Sequence, residues 1–426
     1  MRVLILGSGG REHALAWKIG RSPHVERVLA APGSDGIARE ARCAPDVEAG
    51  DAGAVLALAA REAIDLVVVG PEDPLADGLA DRLRAGGLAV FGPSAAAARL
   101  ESSKAFAKAF MSRHRIPTAG YAVFDDLEAA RAHVRAHGGP CVVKADGLAA
   151  GKGVSVCDDA PAAERALEEV MGARRFGAAG ARVVVEERLA GREVSYYALC
   201  DGRHVVPLAA AQDHKRALDG DRGENTGGMG ACSPAPGFPE SVEKRVLEEI
   251  VHPTLNGMAA EGHPFQGVLF VGLMIDAEGA PRVIEFNVRF GDPETQALVL
   301  RMDCDLAPLL DAAARGRLDS VQAPGWRDAS VCVVMASGGY PRAYETGKPI
   351  RGLEEAERDP AVVVFHAGTR RDGEGRFVTA GGRVLGVSAR GASLAEAQRR
   401  AYAACDRIAF DGMQLRRDIA AQALAQ

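Results

Sequence analysis

The stretch VIEFNVRFGDPET, residues 283–295, combines the alternating pattern of a β-strand with polar residues suited to chemistry. Successive side chains of a strand point to opposite faces, so Glu285, Asn287 and Arg289 would share one face. The other face would carry Ile284, Phe286, Val288 and Phe290. A carboxylate and an amide oxygen two residues apart are hard ligands for Mg²⁺, and Arg289 could bind a carboxylate or a phosphate. An amphipathic strand alone would explain the alternation but not the asparagine, so we interpret the stretch as a metal-binding strand.

Composition limits the class of protein around this strand. The chain has 426 residues, 47% of them hydrophobic, and a net charge of −6, which predicts two to four folded domains and excludes a disordered chain. We expect no nucleic-acid partner from a mildly acidic chain, and no membrane span because no apolar run is long enough. The first apolar residues are too few for a signal peptide. Eight scattered cysteines without a CxxC pair predict reduced thiols in a cytoplasmic protein.

The order of strand and helix patterns predicts an α/β protein that changes character along its length. Short apolar runs that end in glycine, such as Val3–Gly7 and Asp65–Gly70, alternate with helical stretches over the first 93 residues and predict an open, doubly wound parallel sheet. From 193 to 292 the pattern predicts antiparallel hairpins, with turns at 201–202 and 277–279.

Two glycine-rich stretches that follow predicted strands could each approach a phosphate. In GSGGREH, residues 7–13, glycine amides and a helix N-terminus would meet an anion, with Arg11 reaching in. A dinucleotide fingerprint would need glycine at Glu12, so a dehydrogenase is disfavoured, while a turn that binds nothing stays open. VVKADGLAAGKGV, residues 142–154, suits a lysine and a loop that cover nucleotide phosphates, but a P-loop would need Ser or Thr at Gly153. An exposed hairpin loop explains this second stretch equally well.

Two other polar stretches are less specific. VVVEERL, residues 183–189, ends a buried strand in carboxylates that could read an adenine edge, and Glu193 could hold ribose hydroxyls. A strand that leaves the core for solvent would favour charge in any case. QDHKR, residues 212–216, and NTGGMG, residues 225–230, lie in a long segment between the two hairpins. Segments of this length are usually functional or disordered, and composition alone favours a flexible, solvated linker.

Taken in order, these stretches resemble the glycinamide ribonucleotide synthetases, a family of the ATP-grasp superfamily. The resemblance runs along the whole chain and also includes VGPE (69–72), SKAF (103–106), SGGYP (337–341) and FHAGT (365–369). QDHKR, NTGGMGA and GDPETQ are typical of this family in particular. The resemblance implies an N-terminal open doubly wound α/β domain (1–102), a two-lobed ATP-grasp domain (103–320) with a mobile lobe at about 121–188, and a C-terminal α+β domain (321–426).

The resemblance also implies an ATP-dependent ligase of purine biosynthesis, which joins glycine to 5-phosphoribosylamine through glycyl phosphate and releases ADP and phosphate. Arg289, Asp292 and Lys144 would be catalytic, and Glu285 and Asn287 would bind Mg²⁺ or Mn²⁺. The residues expected to hold ATP are Lys104, Lys144, Gly147, Gly151, Lys152, Gly153, Glu186, Glu187 and Glu193. Those expected to hold glycine or phosphoribosylamine are Gly9, Gly10, Arg11, Asp213, His214, Lys215, Thr226, Gly227, Arg289, Gly291 and Asp292.

Two alternatives to this function stay open at this point. A non-catalytic ATP-grasp relic would bind ATP without glycine-dependent ADP release, and another ATP-grasp ligase or a biotin-dependent carboxylase would use a different acceptor, such as bicarbonate. The three glycines of the 147–153 loop predict a lid that closes on ATP, because glycine retains the most backbone freedom. We expect small-molecule partners only, and a monomer or a weak homo-oligomer.

Overall fold

Residues 1–102 form a parallel sheet with helices on both faces in the computed structural model, which describes residues 1–149 and 151–424. Ala150, inside the predicted phosphate loop, lies outside the described residues. Leu4 and Leu6 face the helix Ala52–Glu62, whereas their neighbours in the first strand face the helix Gly10–Ile19. This burial on both faces is why the strands are continuously apolar, and it confirms the predicted open doubly wound unit.

The strand order of this sheet is 3-2-1-4-5. The strands, in sheet order, are Arg42–Cys43, Arg27–Pro32, Arg2–Gly7, Leu66–Val69 and Val90–Phe91. The helices are Gly10–Ile19, Ala52–Glu62, Glu72–Ala76, Leu79–Ala85 and Ala95–Ser102, with a 3-10 turn at Ile37–Arg39.

Two antiparallel sheets follow and form the two lobes of the ATP-grasp fold. The small-lobe sheet contains, in order, Tyr121–Phe124, Val183–Glu187, Cys141–Ala145 and Val154–Cys157. The large-lobe sheet contains Val205–Pro207, Arg192–Asp201, Gln266–Ile275 and Pro281–Asn287. Both predicted hairpins, with turns near 201–202 and 277–279, are confirmed by the antiparallel pairing within this second sheet.

The helices of these lobes begin with Lys104–Arg113, which Ser103 separates from the preceding helix. The Ser103 hydroxyl accepts the Phe106 amide at 3.1 Å, so it caps the new helix. That helix packs in the core of the first sheet and the large lobe. The small-lobe helices are Leu127–His137 and Ala160–Leu167, followed by a π turn at Glu168–Gly172 and a 3-10 turn at Gly177–Ala181. The large lobe has Glu240–Val246, Leu247–Val251 (π), His252–Ala260, Glu294–Arg301, Leu306–Ala314 and Leu318–Ser320 (3-10).

The last sheet takes two of its strands from the segment that composition identified as a solvated linker. In sheet order the strands are Gln212–Asp213, Gly230–Ser233, Ala329–Ser337, Arg383–Gly391 and Val362–His366, and Met413–Gln414 pairs with the third. The helices are Leu353–Ala356, Leu394–Cys405 and Ala421–Leu424. Two-stranded ribbons are Arg216–Leu218 with Arg222–Asn225, Met302–Asp303 with Gly325–Trp326, and Thr369–Arg371 with Phe377–Thr379. The linker interpretation was wrong, because backbone pairing with Ala329–Ser337 orders this segment.

The first domain and the large lobe share their hydrophobic cores, whereas the small lobe has a core of its own. Side chains of the first sheet and of the large-lobe sheet belong to the same two apolar clusters, for example Leu6 with Leu269 and Ile5 with Phe270. The small lobe has an apolar cluster of its own, drawn from residues between Ala130 and Val185. Within the described part of the chain, no helix is both long enough and apolar enough to cross a bilayer.

Candidate active site

The buried carboxylate of Glu186 lies between two lysines where the small lobe meets the rest of the molecule. Glu186, 4% exposed, lies 2.8 Å from the Lys108 ammonium and 3.0 Å from that of Lys144. Lys144 also donates to the Ile284 carbonyl at 2.9 Å, in the large lobe. Burial lowers the pKa of Lys108 to about 8, although Glu186 raises it. These contacts hold Lys144 between the lobes. Glu186, which we expected to hold adenosine, forms ion pairs with the two lysines instead.

Lys104 and the glycine-rich loop lie next to Lys144. The Lys104 ammonium donates to the Gly147 carbonyl at 3.2 Å, and burial lowers the pKa of this lysine. Gly151 has φ +74°, a conformation that favours glycine, and a Cβ there would lie 3.3 Å from the Thr226 carbonyl. Lys152 donates to the Pro341 carbonyl at 3.4 Å. The loop therefore covers the space between the small lobe and the C-terminal sheet.

The predicted metal strand contains a bulge that changes which side chains are buried. Glu285 pairs with Gly272 while Val283 pairs with Leu273, so Ile284 is an extra residue. Val283 joins the core with Phe286, whereas Ile284 is only partly buried, so our assignment of Ile284 to the apolar face was wrong. The strand also ends at Asn287 rather than Phe290.

Glu285 and Asn287 offer the donor set of one hard cation. The nearby ammoniums of Lys215, Lys144 and Lys104 hold the pKa of Glu285 at about 2, despite a burial that would raise it, so this carboxylate is ionised. The strand opposite contributes Gly272 at the Glu285 register and no carboxylate there. Among the described residues, no group of three or more His, Cys, Asp or Glu side chains is arranged for a metal. A carboxylate and an amide oxygen fit Mg²⁺ that takes its other ligands from phosphates and water.

Lys215 connects this pair to the predicted ribose ligand. Its ammonium lies 3.5 Å from Glu285 and 3.3 Å from Glu193, so one lysine side chain forms ion pairs with both carboxylates. Glu187, the other predicted adenosine ligand, accepts the Gly120 amide at 3.2 Å and is exposed.

Arg289 is held by carboxylates from the N-terminal part of the chain. Its guanidinium lies 3.2 Å from Glu72 and 3.0 Å from Glu101, and it donates to the Asn287 amide oxygen at 3.1 Å. Burial would raise the pKa of Glu72, but Arg289 and Arg11 lower it. The guanidinium is therefore fixed in one orientation beside the predicted metal ligand.

The predicted anion site at the first helix is filled by carboxylates. Glu12 accepts the Gly9 amide at 2.7 Å, and Asp292 accepts the Arg11 amide at 3.3 Å. A Cβ on Gly70 would collide with the Glu12 side chain, which fills the space that a dinucleotide pyrophosphate would need and so supports the exclusion of a dehydrogenase. Gly10 also lies at this helix N-terminus, where a Cβ would lie 2.8 Å from the Gln296 amide nitrogen and 3.8 Å from Asp292 Oδ1.

Asp292 connects the N-terminal helix to the C-terminal sheet. Its side chain accepts from Gln296 at 2.8 Å and lies 3.4 Å from the Arg383 guanidinium. Burial would raise the pKa of Asp292, but Arg383 and Arg11 lower it, so the carboxylate is ionised. Arg383 also donates to the Gly227 carbonyl at 2.6 Å.

Successive side chains along 213–215 point to opposite sides, so His214 faces away from Asp213 and Lys215. Asp213 and Lys215 face the large lobe, whereas the His214 ring is buried on the other side, where its Nε2 accepts the Ala420 amide at 3.2 Å. Burial lowers the pKa of His214 to about 4, so the ring is neutral, and it lies on the face opposite Asp213 and Lys215. Its role as a substrate ligand stays a prediction. Thr226 is likewise turned inward, since its hydroxyl donates to the Lys215 carbonyl at 2.9 Å.

Several charged residues of this site were missed at the sequence level. They are Glu12, Glu72, Glu101, Lys108, Tyr197, Glu294 and Arg383. Glu72 and Glu294 lie inside the quoted motifs VGPE and GDPETQ, and Lys108 is one of only eight lysines. These signals were present, but nothing in the sequence pattern joins Glu72 to a strand more than 200 residues away.

Comparisons with known proteins agree with this geometry along the whole chain. Models of phosphoribosylglycinamide synthetase match residues 1–101 (N domain), 102–295 (ATP-grasp (A) domain) and 330–422 (C domain). Proteins called phosphoribosylamine–glycine ligase are 54% identical in Allochromatium vinosum and 51% identical in Vibrio cholerae, each covering 100% of this chain and 99% of the relative.

Solved structures add a second line of comparison. The crystal structure of phosphoribosylamine–glycine ligase from Thermotoga maritima matches with a TM-score of 0.85 at 36% identity, over 98% of this chain and 100% of that one. The biotin carboxylase domain of the 2-oxoglutarate carboxylase of Hydrogenobacter thermophilus matches with a TM-score of 0.72 at 15% identity, over 97% and 91%. This second likeness concerns the fold alone.

Proposed function

Because the chain belongs to the phosphoribosylglycinamide synthetase family, we propose that it joins glycine to 5-phosphoribosylamine at the expense of ATP. The products are glycinamide ribonucleotide, ADP and phosphate, a step of purine biosynthesis. The observation that carries the proposal is the convergence of Lys104, Lys144 and Lys215 on Glu285. Three ammoniums around one potential metal ligand suit a nucleotide polyphosphate and its cation.

Amide formation from glycine requires an activated form of its carboxylate. A carboxylate is a poor acyl donor, because its leaving group would be oxide, whereas glycyl phosphate releases phosphate. Lys104 and Lys144 would neutralise the phosphates of ATP during transfer, and the 147–153 loop would cover them, with Gly147, Lys152 and Gly153 closest to the nucleotide. Glu285 and Asn287 would hold Mg²⁺ or Mn²⁺, which supplies further charge neutralisation when bound.

The remaining predicted residues would hold the acyl donor and the amine. Arg289, already oriented by Glu72 and Glu101, would bind glycine or the acyl phosphate, and Asp292 would orient it. The amine substrate would lie between Asp213–Lys215 and the Gly9–Arg11 turn. Since Glu12 and Asp292 accept the amides of that turn, the anion would have to rely on side chains such as Arg11 or displace a carboxylate.

A coupled assay of ADP release tests this function directly. We expect ADP release that requires both glycine and phosphoribosylamine, with glycinamide ribonucleotide formed in equal amount. ATP binding without glycine-dependent ADP release would instead identify a relic, and bicarbonate-dependent release would identify a carboxylase. Either result would overturn the proposal.

The organisation of the chain completes the proposal. We propose domains at 1–102, 103–320 and 321–426, with the segment around 212–233 contributing strands to the last sheet. A cytoplasmic location is supported by eight free cysteines, since reduced thiols persist there. We also propose a monomer or a weak homo-oligomer that binds small molecules only.

A further inference from the structure

A buried acidic pocket lies beside the predicted amine site. Glu294 is 3% exposed, the Tyr197 side chain is fully buried, and the Ser195 hydroxyl donates to Glu294 Oε1 at 3.3 Å. Within the described residues, the buried Asp213 Oδ1 meets no partner in hydrogen-bond geometry. Leaving such a group unpaired costs about 1–3 kcal/mol, so the pocket is arranged for a ligand that carries a polar hydrogen.

Two glycines of the family motifs pack directly against this pocket. A Cβ on Gly228 would lie 2.9 Å from Asp213 Oδ1, and a Cβ on Gly291 would collide with the Tyr197 hydroxyl and the Glu294 carboxylate. Any other residue at these positions would displace the acidic side chains. The two glycines therefore bring the backbone of the motif loops into contact with the pocket.

The pocket lies between the proposed metal site and the proposed amine site. Lys215, two residues after Asp213, contacts Glu285 at the proposed metal. On the other side, Gly228 packs against Pro293 and the Asp292 backbone, and Asp292 accepts the Arg11 amide of the first helix. Asp213 is thus placed where the acyl phosphate and the amine would meet.

We propose that Asp213 is the base that takes the proton from the amine of 5-phosphoribosylamine as it attacks glycyl phosphate, a role that rests on the proposed function. The nitrogen lone pair forms the new N–C bond to the glycyl carbonyl, and the C–O bond to phosphate breaks. Phosphate leaves with the electron pair of that bond, and one N–H proton passes to Asp213 Oδ1. Glu294 acts on Asp213 through its negative charge, which raises the pKa of the Asp213 carboxyl.

The charges around Asp213 agree with this role. Burial and the neighbouring Glu294 raise the pKa of Asp213, whereas Lys215 lowers it, and Glu193 and Arg383 also face this carboxylate. A carboxylate whose pKa is raised is a stronger proton acceptor than an exposed one, and the Lys215 ammonium is the neighbour that favours its ionised form. The acceptor-rich pocket also suits a nitrogen that must lose a proton better than it suits a phosphate.

The test separates the two half-reactions in the full chain. Hydroxylamine traps glycyl phosphate as glycine hydroxamate, so its rate reports acyl phosphate formation, whereas glycinamide ribonucleotide reports attack by the amine. In Asp213→Asn we expect the ratio of amide rate to hydroxamate rate to fall by about 100-fold or more. In Glu294→Gln we expect the same ratio to fall by about 10-fold. Asp219→Asn, on the exposed ribbon that follows, is the control and should keep the wild-type ratio.

Three results would overturn the proposal. An unchanged ratio in Asp213→Asn would exclude a base at this position. A parallel fall of both rates, with a raised KM for glycine in the hydroxamate assay, would assign Asp213 to the glycine ammonium instead. If Asp213→Asn fails to fold, an unchanged ratio in Glu294→Gln is the overturning result. Absence of amide formation by the wild-type chain would refute the proposed function, a different outcome from any of these.

Discussion

Glu186→Gln tests whether the buried carboxylate acts through the lysines or on adenosine. The substitution removes the charge that lies 2.8 Å from Lys108 and 3.0 Å from Lys144. Removing one partner of a buried ion pair destabilises by about 3–5 kcal/mol. Because the pKa of Lys108 is about 8 with Glu186 present, and lower without it, this lysine can lose its proton at pH 7 in the variant for less than about 1.4 kcal/mol. We therefore expect about 3 kcal/mol, near the lower end of that range.

Hydrogen exchange measures this loss locally, without assuming that the whole chain unfolds in one step. Amides of the strand Val183–Glu187 should exchange about 100-fold faster in Glu186→Gln than in the wild type. The loss should shrink at pH 9, where Lys108 is neutral and its ion pair with Glu186 is already absent. A non-hydrolysable ATP analogue should restore more protection to the variant than to the wild type, since its phosphates replace the missing negative charge beside Lys144.

Glu187→Gln is the matched control, because Glu187 is adjacent, exposed, and keeps an oxygen for the Gly120 amide. It should change protection by less than about threefold, as surface substitutions do. Equal effects of the two substitutions would refute the ion-pair reasoning. A loss of affinity for adenosine as large as that for ATP in Glu186→Gln would restore the original assignment of Glu186 to the nucleoside.

Three further predictions address the metal, the loop and a buried histidine pair. Glu285→Ala should lower product formation with Mg²⁺ by at least about 100-fold while the melting temperature stays close to wild type; wild-type turnover would exclude the metal assignment. Gly151→Ala, at φ +74° and close to Thr226, should weaken binding of an ATP analogue by about tenfold. Gly347→Ala, at φ +83° in open space, is the control and should not change this affinity. Equal amide exchange of the loop with and without the analogue would exclude a lid. Burial lowers the pKa values of His13 and His366 to about 3, so the stability that these two rings contribute above pH 6.5 should be lost towards pH 3, by up to about 2.7 kcal/mol per pH unit. His13→Gln should lower the slope measured in urea unfolding by about 1.4 kcal/mol per pH unit; an unchanged slope would contradict it.

The sequence predicted the elements whose signal is local. Strand Arg2–Gly7 is continuously buried and ends at the glycine turn, as the apolar run indicated. The large-lobe hairpins follow from alternation and turn residues between 193 and 292. The Ser103 cap is a local signal too, and it explains why the helix Lys104–Arg113 begins where it does. Periodicity and turn chemistry are properties of a few neighbouring residues, so they can be read without the fold.

The features that were missed depend on contacts between distant segments. The bulge at Ile284 arises from pairing with Gly272 and Leu273, and no feature of the strand itself shows an extra residue. His214 lies within a family motif, but only the register of Gln212–Asp213 with Ala231–Cys232 turns it away from the site. Composition predicted that the same segment is solvated, because it cannot show the backbone pairing with the C-terminal sheet that orders these polar residues.

The division of the cores explains how one site can be both rigid and able to close. Arg289 is oriented by Glu72 and Glu101 from the N-terminal part, and Asp292 by Arg383 from the C-terminal sheet, so the acyl-transfer side is fixed by three parts of the chain. The small lobe shares no apolar cluster with them in the described residues and is attached through polar contacts, such as Lys144 to the Ile284 carbonyl. Polar contacts to the nucleotide side can exchange with water or phosphate at little loss of buried apolar area. We therefore expect closure to move the ATP-binding lysine and loop onto a preformed acyl-transfer site, which would keep water from glycyl phosphate without disturbing the groups that orient it.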